Sequence, residues 1–175
     1  MIKQKTLQTN KIYKHLSNSD KKIIVEQGGT RSGKTYNIIL WIIFKYCINN
    51  SDKVITVCRK SFPSLRATVM LFVNEGNELY YEDMQQLLFR TQERVILDFN
   101  PSDEYHWIYD KLIPRSDCDF FKTTYLDNPF IEDSIKKEIE LLKETDEQYW
   151  QIYGLGERAA SRSTIFNYVE VNKIP

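Results

Sequence analysis

The chain has 175 residues, which suits one globular domain and leaves no room for two full-sized ones. With 42% hydrophobic and 13% aromatic residues it carries enough apolar material for a core, which excludes a wholly disordered chain. Lys+Arg and Asp+Glu both number 24, so no global field draws the molecule to a polyanion or an anionic membrane, and any such contact has to be local.

The polar, Lys-rich residues 1–20 lack the apolar stretch of a secretory signal and read as a short helix or irregular arm. From Lys21 the pattern tightens. A β-branched run, Ile23 to Val25, is followed by glycines and then by the apolar segment Ile38 to Phe44, which predicts strand, turn and buried helix. That apolar run is far shorter than the roughly 20 residues of a membrane span, so no membrane is expected. Asn49 to Asp52 stop the helix, and Val54 to Val57 predict a second strand. Pro63 opens a short helix over Ser64 to Thr68, and Val69 to Val73 form a third strand. A parallel crossover normally takes a dozen or more residues, so this second link is unusually short.

Further along, Glu82 to Leu88 reads as helix and Arg94 to Phe99 as a buried strand ended by Asn100-Pro101. A short helix at His106 to Leu112 and a strand at Phe120 to Tyr125 follow. Asn128-Pro129 starts a helix whose Ile131, Ile135, Ile139 and Leu142 recur at helical spacing, and Gly154 and Gly156 close the pattern after Tyr149 to Tyr153. The alternation of strands and helices predicts an α/β fold with a mainly parallel sheet, a three-layer sandwich over 21–160, flanked by the arm 1–20 and a linker 161–175. Cys47, Cys58 and Cys118 are odd in number and widely spaced, with only His15 and His106 to join them, which points to a reduced, intracellular protein without structural zinc.

One motif carries chemistry by itself. Gly28, four residues, and Gly33-Lys34-Thr35 match G-x-x-x-x-G-K-[ST] in full, between a predicted strand and a predicted helix. Glycines let the backbone turn its N–H groups toward phosphate oxygens, and the helix that follows adds its positive end. Gly28, Gly29, Thr30, Arg31, Ser32, Gly33, Lys34 and Thr35 are therefore the expected nucleotide-binding residues, with Lys34 on the β- and γ-phosphates and the Thr35 hydroxyl on Mg²⁺. Arg31 either stabilises transferring phosphate charge or points into solvent. A hydrolase of this kind also needs an acid at the end of a second buried strand. Glu75 fits that base, and Asn74 stands where an Asp usually supports the metal; the competing reading of Glu75 is an ordinary surface acid.

The blocks QGGTRSGKT, VCRKSFPSLRATV, LFVNEGNEL, ILDFNPSDEYHWIYDKLIP, TYLDNPF and YWQIYGLGER, in this order, resemble the ATPase half of the tailed-phage terminase large subunit, of the PBSX-like group. The resemblance implies a P-loop fold of the additional-strand type. It implies a motor in which ATP and Mg²⁺ drive double-stranded phage DNA into a procapsid. Its partners would be the portal protein and the small terminase subunit, in a ring of copies within the bacterial cytoplasm. By position it makes Lys34, Arg31 and Glu75 catalytic, Thr35 and Asn74 metal-supporting, and Asn100 a γ-phosphate sensor in the coupling block Asp98 to Pro101. Three departures stand out: the family carries several dozen more residues before the acidic strand, Asn74 replaces an Asp, and no nuclease domain follows residue 175. Two other readings are a small P-loop kinase, although only Arg115 lies between Arg94 and Arg158 to build a lid, and a non-catalytic terminase remnant.

Overall fold

The computed structural model describes residues 8–59 and 68–158. Asn10 caps the first helix, α1 (Lys11–Asn18), by accepting from the Ile12 amide at 2.9 Å, and the helix buries Ile12 and Leu16. The strand β1 (Ile23–Gly28) follows and is buried at every position. A continuous buried run, rather than an alternating one, is what a strand covered on both faces requires. The helix α2 (Lys34–Trp41) then starts directly from the glycine loop.

Next come β2 (Ile55–Cys58), β3 (Thr68–Val73), α3 (Tyr81–Arg90), β4 (Thr91–Phe99), β5 (Cys118–Thr123) and α4 (Asp133–Thr145). The five strands form one sheet in the order β2-β3-β4-β1-β5, and every neighbouring pair is parallel. Two apolar layers result. On one face Val25, Val73, Leu97 and Phe99 meet Met84 and Leu87 of α3, together with Ile108 and Leu112. On the other, Ile24, Met70, Phe72 and Ile96 meet Ile12 and Leu16 of α1 and Ile38 and Trp41 of α2. Each side chain so buried contributes roughly 1.5–3 kcal/mol, which makes these layers the main source of stability.

The predicted strands are all present, displaced by a few residues at their ends. Several expectations need correction. The run Ile38 to Phe44 is not a uniformly buried helix: α2 ends at Trp41 and widens into a π turn over Ile42–Tyr46, where Ile43 and Phe44 stand about half exposed. The helix expected from His106 is a π turn over Ile108–Leu112. Tyr125 lies in a short 3₁₀ turn and not in a strand. Helix α4 begins at Asp133 and not at Asn128-Pro129; the Asn128 side chain instead donates to the Arg31 carbonyl and accepts from the Phe130 amide. Thr68 belongs to β3; the rest of the expected helix at Ser64 lies outside the described residues, as does the linker 161–175. The short link is nevertheless a link between adjacent parallel strands, since Ile55 to Cys58 register with Met70 to Val73.

With all strands parallel, the carboxyl ends of β1, β3, β4 and β5 open on one edge, where open α/β sheets place their ligands.

Candidate nucleotide site

The loop between β1 and α2 is held closely on several sides. A Cβ on Gly29 would lie 2.4 Å from the carbonyl oxygens of Tyr153 and Gly154, so only glycine lets the C-terminal turn pack here; that turn also receives the Thr30 amide at 2.5 Å. Gly33 caps α2 with φ 83°, in the left-handed region that glycine enters freely. Arg31, with φ 63°, adopts the same region without that freedom. Its conformation is set from outside: the Asn128 side-chain amide donates to the Arg31 carbonyl at 2.8 Å. From the opposite side Asn10 donates to the Ser32 carbonyl at 3.1 Å, and Asn37 donates to the Gly33 carbonyl at 2.9 Å while accepting from the Asn10 amide at 3.0 Å. Three asparagine amides therefore brace the loop from α1, α2 and the turn before α4.

Lys34 lies beneath the loop, 8% exposed. Its ammonium donates to the Gly28 carbonyl at 2.8 Å, the Gly29 carbonyl at 3.0 Å and Asn100 Oδ1 at 3.1 Å. Burial lowers its pKa to about 8, against the nearby acids Asp98, Glu26 and Glu75, which favour the charge. The Thr35 hydroxyl lies 2.7 Å from Asp98 Oδ2 and 3.1 Å from Asn74 Oδ1. Glu75 follows immediately, in a left-handed backbone with φ 56°, its amide donating to Asp98 Oδ1 at 3.0 Å. The Glu75 carboxylate is ion-paired to Arg59, which also reaches Glu78 at 3.3 Å. Gly29 to Thr35, Glu75, Asn100 and Asn128 share the walls of one open cleft of about 500 Å³.

Of the residues singled out in the sequence, Gly29 to Thr35, Glu75 and Asn100 line this cleft, while Gly28 and Asn74 adjoin it through their contacts with Lys34 and Thr35. Sequence reasoning missed Asn10, Asn37 and Asn128 as braces, and it did not foresee the tie between Arg59 and Glu75. The block TYLDNPF contained Asn128, but nothing in its spacing pointed back to a loop 97 positions earlier. Two tryptophans outside the cleft serve packing: Trp41 is buried, and the Trp107 indole donates to the Leu79 carbonyl at 2.8 Å.

Under the cleft, Glu26 of β1 is fully buried and is bridged by His15 to Asp119, at 2.7 Å and 3.0 Å. Burial pushes the Glu26 pKa up to about 7, which the His15 contact only partly opposes. Burial lowers the His15 pKa, but the contacts with Glu26 and Asp119 outweigh it and leave it raised. Both groups bind protons more tightly folded than unfolded, so their stabilising contribution is present in mild acid and is lost as pH rises through about 7. For Glu26 that loss is at most about 3 kcal/mol. The thermal midpoint is expected to fall between pH 5 and pH 8, and Glu26→Gln is expected to flatten the profile; an equally steep profile in the variant would assign the effect elsewhere.

A glycine loop from a central parallel strand, a lysine beneath it, and an acid on a strand separated from β1 by β4 are the arrangement of a P-loop fold of the additional-strand type. The family model for the phage terminase large subunit matches residues 59–157, more than half of the chain, and the chain belongs to that family. Its fold is similar to that of the large terminase from a thermophilic bacteriophage. The ADP complex of that terminase gives a TM-score of 0.66 at 14% identity, covering 85% of this chain and 53% of that one. The complex with ATP-γ-S gives 0.65 at 13% identity, covering 85% and 52%. A further crystal form gives 0.65 at 14%, covering 86% and 53%. The chain therefore spans about half the length of the thermophilic phage terminase. No curated protein matches it in sequence. Among the described residues no helix is long and apolar enough to cross a membrane.

Proposed function

We propose that this chain is the ATP-hydrolysing domain of a phage DNA-packaging motor, converting hydrolysis into movement of double-stranded phage DNA. The observation that carries this reading is the meeting, in one cleft, of the loop with Lys34 and Thr35 and of Glu75 with Asn100 from two other strands. The thermophilic phage terminase, which shares the fold, has been seen with ADP and with ATP-γ-S, and that supports a nucleotide at the corresponding place here.

In this reading the amides of Gly29 to Thr35 cradle the phosphates, and Lys34 exchanges one of its loop carbonyls for a phosphate oxygen. Asn100, already on Lys34, senses whether the outermost phosphate is present. Glu75 swings from Arg59 to orient and deprotonate the attacking water, and Arg31 stabilises charge on the transferring group. The donors beside the loop are all oxygens, from Thr35, Asn74 and a buried carboxylate, and this hard set suits Mg²⁺. Thr35 and Asn74 would hold the ion, which when bound neutralises phosphate charge. Double-stranded DNA, the portal protein, the small terminase subunit and further copies of the chain in a ring are the partners the family implies, and the host cytoplasm is the place of action. A nuclease activity is not expected from these residues.

Release of phosphate from ATP, with and without linear double-stranded DNA, tests the assignment. Mg²⁺-dependent turnover that rises with DNA is the expected result. Transfer to a small acceptor in place of water would make the chain a kinase. Tight binding without turnover would make it a non-hydrolysing remnant, a reading favoured by Val54 and Val57, which stand more than half exposed on and beside the edge strand β2.

A further inference from the structure

The Thr35 hydroxyl has oxygen neighbours from two different strands, and only one of them is charged. Asn74, at the end of β3, offers a neutral amide oxygen at 3.1 Å, whereas Asp98 of β4 offers a carboxylate oxygen at 2.7 Å. We propose that Asp98 supplies the carboxylate that orients Thr35 and balances a nucleotide-bound divalent cation, so that the acid missing at position 74 is replaced from the neighbouring strand. This rests on the nucleotide-binding reading above.

Three observations carry it. A hydroxyl has one proton to give, and a carboxylate at the shorter distance takes it in preference to an amide. That leaves the hydroxyl's lone pairs free to face a cation. Second, Asp98 is 1% exposed, and among the described residues no Lys or Arg hydrogen-bonds it; Lys34 spends its three donors on Gly28, Gly29 and Asn100. Its neighbour in register on β1 is Glu26, another buried acid. Glu26 has His15 as its partner, whereas Asp98 has only the field of Lys34, whose ammonium bonds elsewhere, so Asp98 is the buried carboxylate that gains from a further cation. Third, the other oxygen of Asp98 holds the Glu75 amide at 3.0 Å. One carboxylate therefore ties the metal-supporting threonine to the residue that carries the proposed base, which makes Asp98 a positioning residue for both.

The two strands allow a swap. Asp98→Asn keeps the volume and an acceptor for the Glu75 amide, and Asn74→Asp returns a carboxylate to the same hydroxyl from the other strand. The readout is the thermal midpoint of the full chain with ATP-γ-S, first in EDTA and then across a Mg²⁺ titration. Asp98→Asn is expected to keep the stabilisation seen in EDTA but to need at least about tenfold more Mg²⁺ for the remainder, the effect of one lost charge contact. The double variant is expected to recover most of that loss, which a merely structural role for Asp98 would not allow. An unchanged Mg²⁺ requirement in Asp98→Asn, or a folded double variant without recovery, overturns the inference. Absence of any nucleotide effect in the unaltered chain would instead remove the nucleotide-binding reading. If the variants do not melt cooperatively, crystals of the unaltered chain with ATP-γ-S and Mn²⁺ decide: the ion located by its anomalous signal is expected in contact with Asp98 or one water away, and a carboxylate turned from the ion overturns the inference.

Discussion

Glu75→Gln is expected to lower ATP turnover by about 10²–10⁴-fold, the usual contribution of a positioned general base, while nucleotide binding persists. Gln matches Glu in size and can still orient water but cannot take its proton. The side chain sits at the rim of the cleft, 36% exposed, against Arg59. The pair is exposed and screened by solvent, so the melting temperature should hardly move and a loss of turnover cannot be blamed on unfolding. Steady-state phosphate release at saturating ATP, beside a melting curve, measures both. Turnover within a few-fold of the unaltered chain would take the role of base away from Glu75. Arg59→Ala distinguishes further: if Arg59 only parks the carboxylate, its removal leaves the maximal rate nearly intact.

Lys34→Ala is expected to abolish the stabilisation that the triphosphate gives. The ammonium is the one Lys or Arg head group that the structure buries directly under the loop, among the described residues, and it already contacts both carbonyls that begin the loop together with Asn100. A charged hydrogen bond of this kind is worth about 1.5–3 kcal/mol, so affinity should fall by roughly 10–150-fold from that contact alone. The variant also leaves the Gly28 and Gly29 carbonyls without their donor, which loosens the loop and adds to the loss. The upward shift of the melting midpoint with Mg·ATP-γ-S, which grows with the logarithm of ligand over Kd, is expected to shrink to nearly nothing at concentrations that saturate the unaltered chain. A full shift in Lys34→Ala would mean that the nucleotide sits elsewhere.

Much of this architecture can be read in the chain because its strands are short, apolar and separated by glycine, proline and asparagine, and because a phosphate loop requires particular residues in consecutive order. Ile23 to Val25 and Val95 to Leu97 announce central strands as unbroken apolar runs, and both are buried in the structure. The loop motif is local, so Gly28 to Thr35 could be named from spacing, and Glu75 followed from its place after an apolar run. What spacing does not reveal is convergence across the sheet. Asp98 and Asn74 lie 24 positions apart, yet they meet on one hydroxyl because β3 and β4 are parallel neighbours. Asn10 and Asn128 reach the loop from distant segments by single amide contacts, which leave no periodic trace. The exposed Ile43 and Phe44 show the opposite limit: an apolar run looks the same whether or not another element covers it, and here the π turn rotates part of it outward.

Backbone amide NMR of the chain titrated with Mg·ATP-γ-S tests the central claim most directly, since the proposed cradle is made of amides. The account predicts saturable shifts concentrated on Gly29 to Thr35, with smaller ones at Glu75 and Asn100. Shifts that cluster on another part of the sheet, or a spectrum that does not change, would contradict it.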